Sequence, residues 1–114
     1  MPKKEIVSEL TSNTFNEFVN DKEHVLSIVD FYAEWCMPCV MMAPIIEKIA
    51  GKNKKVKFGK VNVDENGELA NQFEVSSIPC LVFFKNGEEV DRVANSLAED
   101  LLNEKILDYI KEFK

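Results

Sequence analysis

The sequence predicts an α/β protein, a central mixed β-sheet flanked by helices on both faces, with elements in the order β-α-β-α-β-α-β-β-α. Three observations predict it. Val25-Leu26-Ser27-Ile28-Val29-Asp30-Phe31-Tyr32 and Cys80-Leu81-Val82-Phe83-Phe84 are nearly continuous apolar runs of strand length, as expected of strands buried on both faces. Segments with apolar residues at helical spacing separate the strand-like runs. Asn86-Gly87 is a strong hairpin turn and adds an antiparallel pair to strands otherwise joined through helices.

In chain order, Glu5 to Leu10 is a weak first strand carrying Ile6, Val7 and Leu10. Ser12-Asn13-Thr14 offers N-caps, and Thr14 with Glu17 has capping-box spacing ahead of Phe15, Phe18 and Val19. The Val25–Tyr32 run is the central strand. A Met- and Ile-rich helix covers Cys36 to Ala50, with Gly51 placed to close it and Pro44 placed to bend it. Val56, Phe58, Val61 and Val63 mark a third strand whose alternation is interrupted at Gly59. Asn66 to Phe73 is a short helix, Cys80 to Phe84 a buried strand, and Glu88 to Val93 an edge strand. Ser96 and Glu99 form a second capping box for a final amphipathic helix with Leu97, Leu101, Ile106, Ile110 and Phe113 on its stripe.

The 114 residues are expected to form one domain, 1–114. With 46% apolar residues and no repeat or low-complexity segment, the chain has enough apolar surface to offset its conformational entropy. A net charge of −6 argues against a nucleic-acid partner and for a monomer. The lysines at 52, 54, 55, 57 and 60 read as a solvated loop and strand edge, and His24 as a surface residue. The start of the chain has lysines but no apolar segment behind them, and no run reaches the length of a membrane span. A cytoplasmic location is therefore expected; a secreted chain already stripped of its signal would read the same.

Three cysteines are too few for a disulfide scaffold, and in the cytoplasm a close pair is usually catalytic or metal-binding. Cys36-Met37-Pro38-Cys39 follows the central strand and opens the next helix. The i, i+3 spacing brings both sulfurs to one face within disulfide reach. At the helix N-terminus, free N–H groups and the dipole favour a Cys36 thiolate, the nucleophile that thiol–disulfide exchange requires. Cys39, one turn in, suits the resolving thiol, and Pro38 restricts the loop without wasting a donor. A zinc site usually takes four ligands, and only the distant Cys80 and His24 stand beside this pair.

Trp35-Cys36-Met37-Pro38-Cys39 resembles the active site of the thioredoxin family, and the resemblance extends over nearly the whole chain. Val29-Asp30-Phe31-Tyr32-Ala33-Glu34 is similar to the family strand entering the site, and Ala43-Pro44 to its mid-helix proline. Lys60-Val61-Asn62-Val63-Asp64 is similar to its third strand, Ile78-Pro79 to its cis-proline, and Phe84-Lys85-Asn86-Gly87-Glu88 to its last hairpin.

The resemblance implies the thioredoxin fold and a protein-disulfide reductase working through a reversible Cys36–Cys39 dithiol/disulfide. It implies that Asp30 is a buried acid that helps deprotonate Cys39, where the residues alone also allow an aspartate capping the next turn. Lys60 is either a partner for Asp30 or a surface strand lysine. Trp35 and Met37 would cover the disulfide and meet partners, and the Ile78 backbone beside Pro79 would pair with an extended substrate. Clients are disulfide-containing proteins. The four glycines form no nucleotide fingerprint, so no cofactor is expected beyond the disulfide itself, and electrons would come from a separate reductase.

This sequence departs from the family pattern at Met37 and Ala94, each in place of a common Gly, and at Cys80, in place of a common Thr. Cys80 reads as small buried core. The alternatives are a zinc or iron–sulfur module using Cys36, Cys39 and Cys80, and an oxidase or isomerase of the same fold. Pro38 and the missing signal speak against the last.

Overall fold

Parallel pairing places the apolar run at the centre of the sheet. The computed structural model describes residues 6–113, and Glu5, the expected start of the first strand, lies outside them. Along the chain run β1 (Val7–Leu10), α1 (Phe15–Val19), β2 (Leu26–Tyr32), α2 (Met37–Lys52), β3 (Val56–Asn62), α3 (Gly67–Gln72), β4 (Cys80–Lys85), β5 (Glu88–Ala94) and α4 (Glu99–Phe113). The sheet order is β1-β3-β2-β4-β5. β3 pairs in parallel with both β1 and β2, β4 runs antiparallel to β2, and β5 antiparallel to β4.

Alternation along the strands divides the core in two. Leu26 and Ile28 of β2, Phe58 of β3 and Leu81 and Phe83 of β4 pack under α2 (Met42, Ile46, Ile49) and α4 (Leu102, Ile106). Val29 and Phe31, with Val61, Cys80, Val82 and Phe84, pack on the other face with α1 and α3. That second core is largely aromatic. Phe15 and Phe73 each meet Phe84 edge-on at 5.5 and 5.4 Å, and Phe31 lies 6.2 Å from Phe73. Gly59 interrupts the pattern of β3 because a Cβ there would sit 2.7 Å from Leu10 Cδ1 and 3.1 Å from Phe18 Cε1. Its missing side chain lets β1 and α1 close onto the sheet.

Helix ends depart from expectation in three places. Thr14 does not cap α1: its hydroxyl accepts from Thr11 N–H (3.0 Å), and its backbone is already in the helical region. Gly51 does not close α2, which continues through Lys52. Asn53 ends it, its backbone N–H and its side-chain amide both donating to Ile49 O. Asn53 keeps a negative φ, so no glycine is needed there. Ser96 lies too early to cap α4. The chain first reverses at Asn95 (φ 95°), whose N–H donates to Pro79 O, and the helical ladder starts with Leu102 N–H to Ala98 O.

The lysine cluster is also less uniform than expected. Lys57 is mostly covered: it pairs with Asp21 at 3.0 Å, donates to Phe18 O at 3.1 Å and lies over the Phe18 ring. His24 is part-buried, with Nδ1 2.9 Å from Asp21 Oδ2.

Candidate redox site

The C-terminal end of β2 delivers the chain to the site. Ala33, fully buried, lies between the strand and the turn, and Cys36 is the N-cap of α2. Its extended backbone (φ −87°, ψ 107°) turns the side chain back over the first turn, where Sγ accepts the Cys39 N–H at 3.3 Å. Pro38 occupies the first turn, where an N–H has no partner within the helix anyway. Cys36 and Cys39 are joined as a disulfide, with Cα atoms 5.3 Å apart. Both are nearly enclosed, 5% and 3% exposed, so Cys39 is only slightly the more shielded.

The covering groups come from three loops. Trp35 is 72% exposed, yet its indole N–H donates to Asp64 Oδ2 at 2.8 Å, which fixes the ring beside the cysteines. The Ile78–Pro79 peptide is cis, and Ile78 O lies 3.9 Å from Cys36 Sγ. Trp35, Met37, Pro38, Val63, Val75 and Ile78 line an open groove of about 500 Å³ across the disulfide. Met37 is 67% exposed at its rim, and the exposed Val40 and Met41 extend its apolar surface along α2. Ala94 sits at the end of β5, opposite Cys80 and open to solvent.

Below lies Asp30. By alternation it shares the face of Leu26 and Ile28, under α2. It is 6% exposed, and its Oδ1 has no hydrogen-bond partner among the described residues. Burial raises its pKa to about 7, opposed by the positive charge of Lys60 and reinforced by the negative charge of Glu9. Lys60 is the β3 neighbour of Asp30, but its ammonium pairs instead with Glu9 Oε1, at 3.8 Å. Lys60 is thus a partly exposed strand lysine that pairs with the neighbouring strand and acts on Asp30 through its charge.

These features form a redox site with a disulfide at a helix N-terminus, an apolar groove over it and a buried acid behind it. The family model for thioredoxin matches residues 6–108. The chain belongs to the thioredoxin family. Among its relatives, the thioredoxin of Chlamydia pneumoniae is 43% identical over 97 residues, 85% of this chain and 92% of that one. Thioredoxin 1 of Nostoc sp. is 41% identical over 98 residues, 85% and 91% of the two chains. In structure, the chain is similar to a mutant thioredoxin from Halobacterium salinarum, with a TM-score of 0.82, 32% identity and coverage of 90% and 88%. It is likewise similar to the thioredoxin of Malassezia sympodialis, with a TM-score of 0.81, 31% identity and coverage of 96% and 94%.

This thioredoxin-family chain is a thiol–disulfide oxidoreductase, with protein-disulfide reductase activity carried by its own dithiol/disulfide. Among the described residues, no helix is long and apolar enough to cross a membrane.

The three-cysteine metal reading gains no support. Cys80 belongs to the aromatic core on one face of the sheet, whereas Cys36 and Cys39 pack with Ala33, Tyr32, Val63 and Ile78. Among the described residues, no three His, Cys, Asp or Glu side chains converge as metal ligands would. The oxidase or isomerase reading gains no support from relatives that carry the thioredoxin name.

Sequence reasoning missed two groups around the site. Asp64 was visible only as part of a strand motif, although an acid just past a strand that ends near an exposed Trp is a candidate partner for its N–H. Glu9 gave no signal until the parallel register set it opposite Lys60.

Proposed function

We propose that this chain reduces disulfides in client proteins with Cys36 as nucleophile, Cys39 as resolving thiol and Asp30 as the acceptor of the Cys39 proton. In the dithiol form the Cys36 thiolate attacks one sulfur of a client disulfide. A Cys36–client bond forms, the client bond breaks, and the client's second sulfur leaves as thiolate. Cys39, giving its proton to Asp30, then attacks Cys36 Sγ, forms the Cys36–Cys39 bond and expels the client's first sulfur. The client gains two electrons and, with protons from water, two thiols; the chain is left as the disulfide.

The supporting observation is the placement of Cys36. It is an N-cap with Sγ accepting an N–H, where a thiolate gains from the helix terminus. The groove gives Trp35, Met37 and Pro38 the role of apolar contacts. Ile78 and Pro79 would be a docking edge for extended client backbone, and Lys60 would tune Asp30 through its charge. Recharging falls to a separate reductase, because the four glycines make no dinucleotide fingerprint and the chain needs no cofactor of its own. We further propose that residues 1–114 act as one domain, as a monomer, in the cytoplasm, without nucleic-acid or membrane partners. The continuous five-stranded sheet and the net charge of −6 support this reading.

The test is reduction of insulin disulfides with dithiothreitol as electron source. The native chain is expected to accelerate it and Cys36→Ser to abolish the acceleration. Cys36→Ser with unchanged activity would overturn the assignment.

A further inference from the structure

Across β1, β3 and β2, Glu9 stands opposite Lys60 and Lys60 opposite Asp30, so a row of acid, cation and acid in register crosses the sheet on the face covered by α2. The ammonium can serve either neighbour, and it is with Glu9, at 3.8 Å. Tyr32, two positions beyond Asp30 on the same face, explains the choice. Its hydroxyl donates to the Glu9 carboxylate, lying 2.9 and 3.0 Å from the two oxygens, and Lys60 Nζ sits 5.6 Å from the centre of its ring. Glu9 is therefore held on the Lys60 side, with a second attraction from the ring face.

We propose that Glu9 is a positioning residue of the redox site: fixed by the Tyr32 hydroxyl, it draws the Lys60 ammonium toward the outer strand and so weakens that cation's hold on the Asp30 carboxylate. This inference rests on the reading of Asp30 as the proton acceptor of Cys39. A carboxylate in direct contact with an ammonium is a poor base, because the ion pair stabilises its charged form. An acceptor works best when its proton affinity lies near the operating pH.

Among the described residues, Lys60 and Glu9 are the charged side chains whose electrostatic effect on Asp30 is resolved. α2 presents the Cys36–Cys39 pair and the apolar Met42 and Ile46, α4 presents Leu102 and Ile106, and β4 places Leu81 beside Asp30. The buried Cys80 thiol, whose own pKa burial raises, points to the opposite core. Among the described residues, the charged and titratable groups around Asp30 are thus Lys60, Glu9, Tyr32, the cysteine pair and the Cys80 thiol, which is coupled to Asp30 by charge.

The experiment follows the Asp30 carboxyl by carbon NMR in the full chain and, in parallel, the pH profile of the resolving step. Glu9→Gln is expected to lower the Asp30 midpoint by about 0.5 pH unit, a close charge effect reduced by partial solvent exposure. Tyr32→Phe should move it the same way by less, and Lys60→Gln should raise it. Because the Glu9 charge also acts on Asp30 directly, the deciding comparison is Glu9→Gln made in the Lys60→Gln background, where the lowering should be clearly smaller than in the native chain. An equal lowering in both backgrounds, no lowering in Glu9→Gln, or no rise in Lys60→Gln would overturn the proposal. Asp30→Asn tests the underlying reading separately. If the pH dependence of the resolving step persists in that variant, Asp30 is not the acceptor, while the carboxyl titration still decides whether Glu9 controls it.

Discussion

Asp21 and Asp30 bracket most of the same apolar run, one in the turn before β2 and one inside it, and they are treated in opposite ways. Asp21 Oδ1 accepts the backbone N–H groups of Glu23 (2.6 Å) and His24 (3.0 Å), and Oδ2 meets Lys57 (3.0 Å) and His24 Nδ1 (2.9 Å). Burial pushes its carboxyl up, but the Lys57, His24 and Glu23 hydrogen bonds outweigh burial and hold it well below the usual carboxylate range. At Asp30 the balance falls the other way: burial dominates, one oxygen has no donor, and the pKa rises to about 7. The two differ both in burial, Asp21 being half-buried and Asp30 fully buried, and in the donors that reach them. Deep burial with few donors and shallow burial with many push the two carboxyls in opposite directions.

The largest expected effect that sharpens this contrast is on rate. Asp30→Asn should slow the resolving step at neutral pH by about a hundredfold, at the low end of what a placed acid–base group contributes. The same variant should alter stability. The folded-state pKa of Asp30 lies above its usual 3.8, so the native chain loses stability as pH rises from about 4 to about 7 and is flat beyond. Asp30→Asn should remove that decline and be more stable than the native chain at pH 8 by ~1–2 kcal/mol. Denaturant titrations across this range check it, and a native chain with no such slope would break the comparison.

Next in size, Asp21→Asn should cost ~1–3 kcal/mol at pH 7 by leaving buried donors poorly matched. A lowered folded-state pKa means its contribution is present above about pH 4 and fades as pH falls below, so the variant and the native chain should converge in acid. Its turnover should match the native value. The smallest effect is expected at Cys80, where burial raises the thiol pKa without any role following from it. Cys80→Ala should cost about 1 kcal/mol through lost packing and leave disulfide reduction intact. A marked loss of activity there would show that burial in this sheet does carry function.

The strands and the working cysteines were legible in the sequence because each rests on local pattern. An eight-residue apolar run cannot lie at the surface, and two cysteines at i, i+3 opening a helix share a face wherever that helix goes. Asp30 was legible for the opposite reason, as a charge where charge is costly. The helix ends were not. Thr14 has cap chemistry, but Thr11 occupies its hydroxyl; Gly51 has stop chemistry, but Asn53 supplies the terminating bonds two residues later. The partner of Lys60 was also beyond local reading, because Glu9 reaches it only through the register of two parallel strands far apart in sequence. Trp35 and Asp64 meet for a similar reason, across the top of β2 and β3.

The outer edges of the sheet bear on how such a molecule remains dispersed. β1 is only four residues long. On the other side, Arg92 of β5 holds Glu89 at 2.7 and 2.8 Å and Phe73 O at 2.7 Å, while Asp91 is tied to Lys105 (2.7 Å) and Tyr109 (2.6 Å) of α4. The pairing of β5 with β4 also shifts register between Phe83 and Phe84. A foreign strand laid along this border would meet pinned charges and an uneven ladder, whereas the path beside Ile78 is apolar and open. Fibre growth from the rim is discouraged by the same contacts that anchor the last helix.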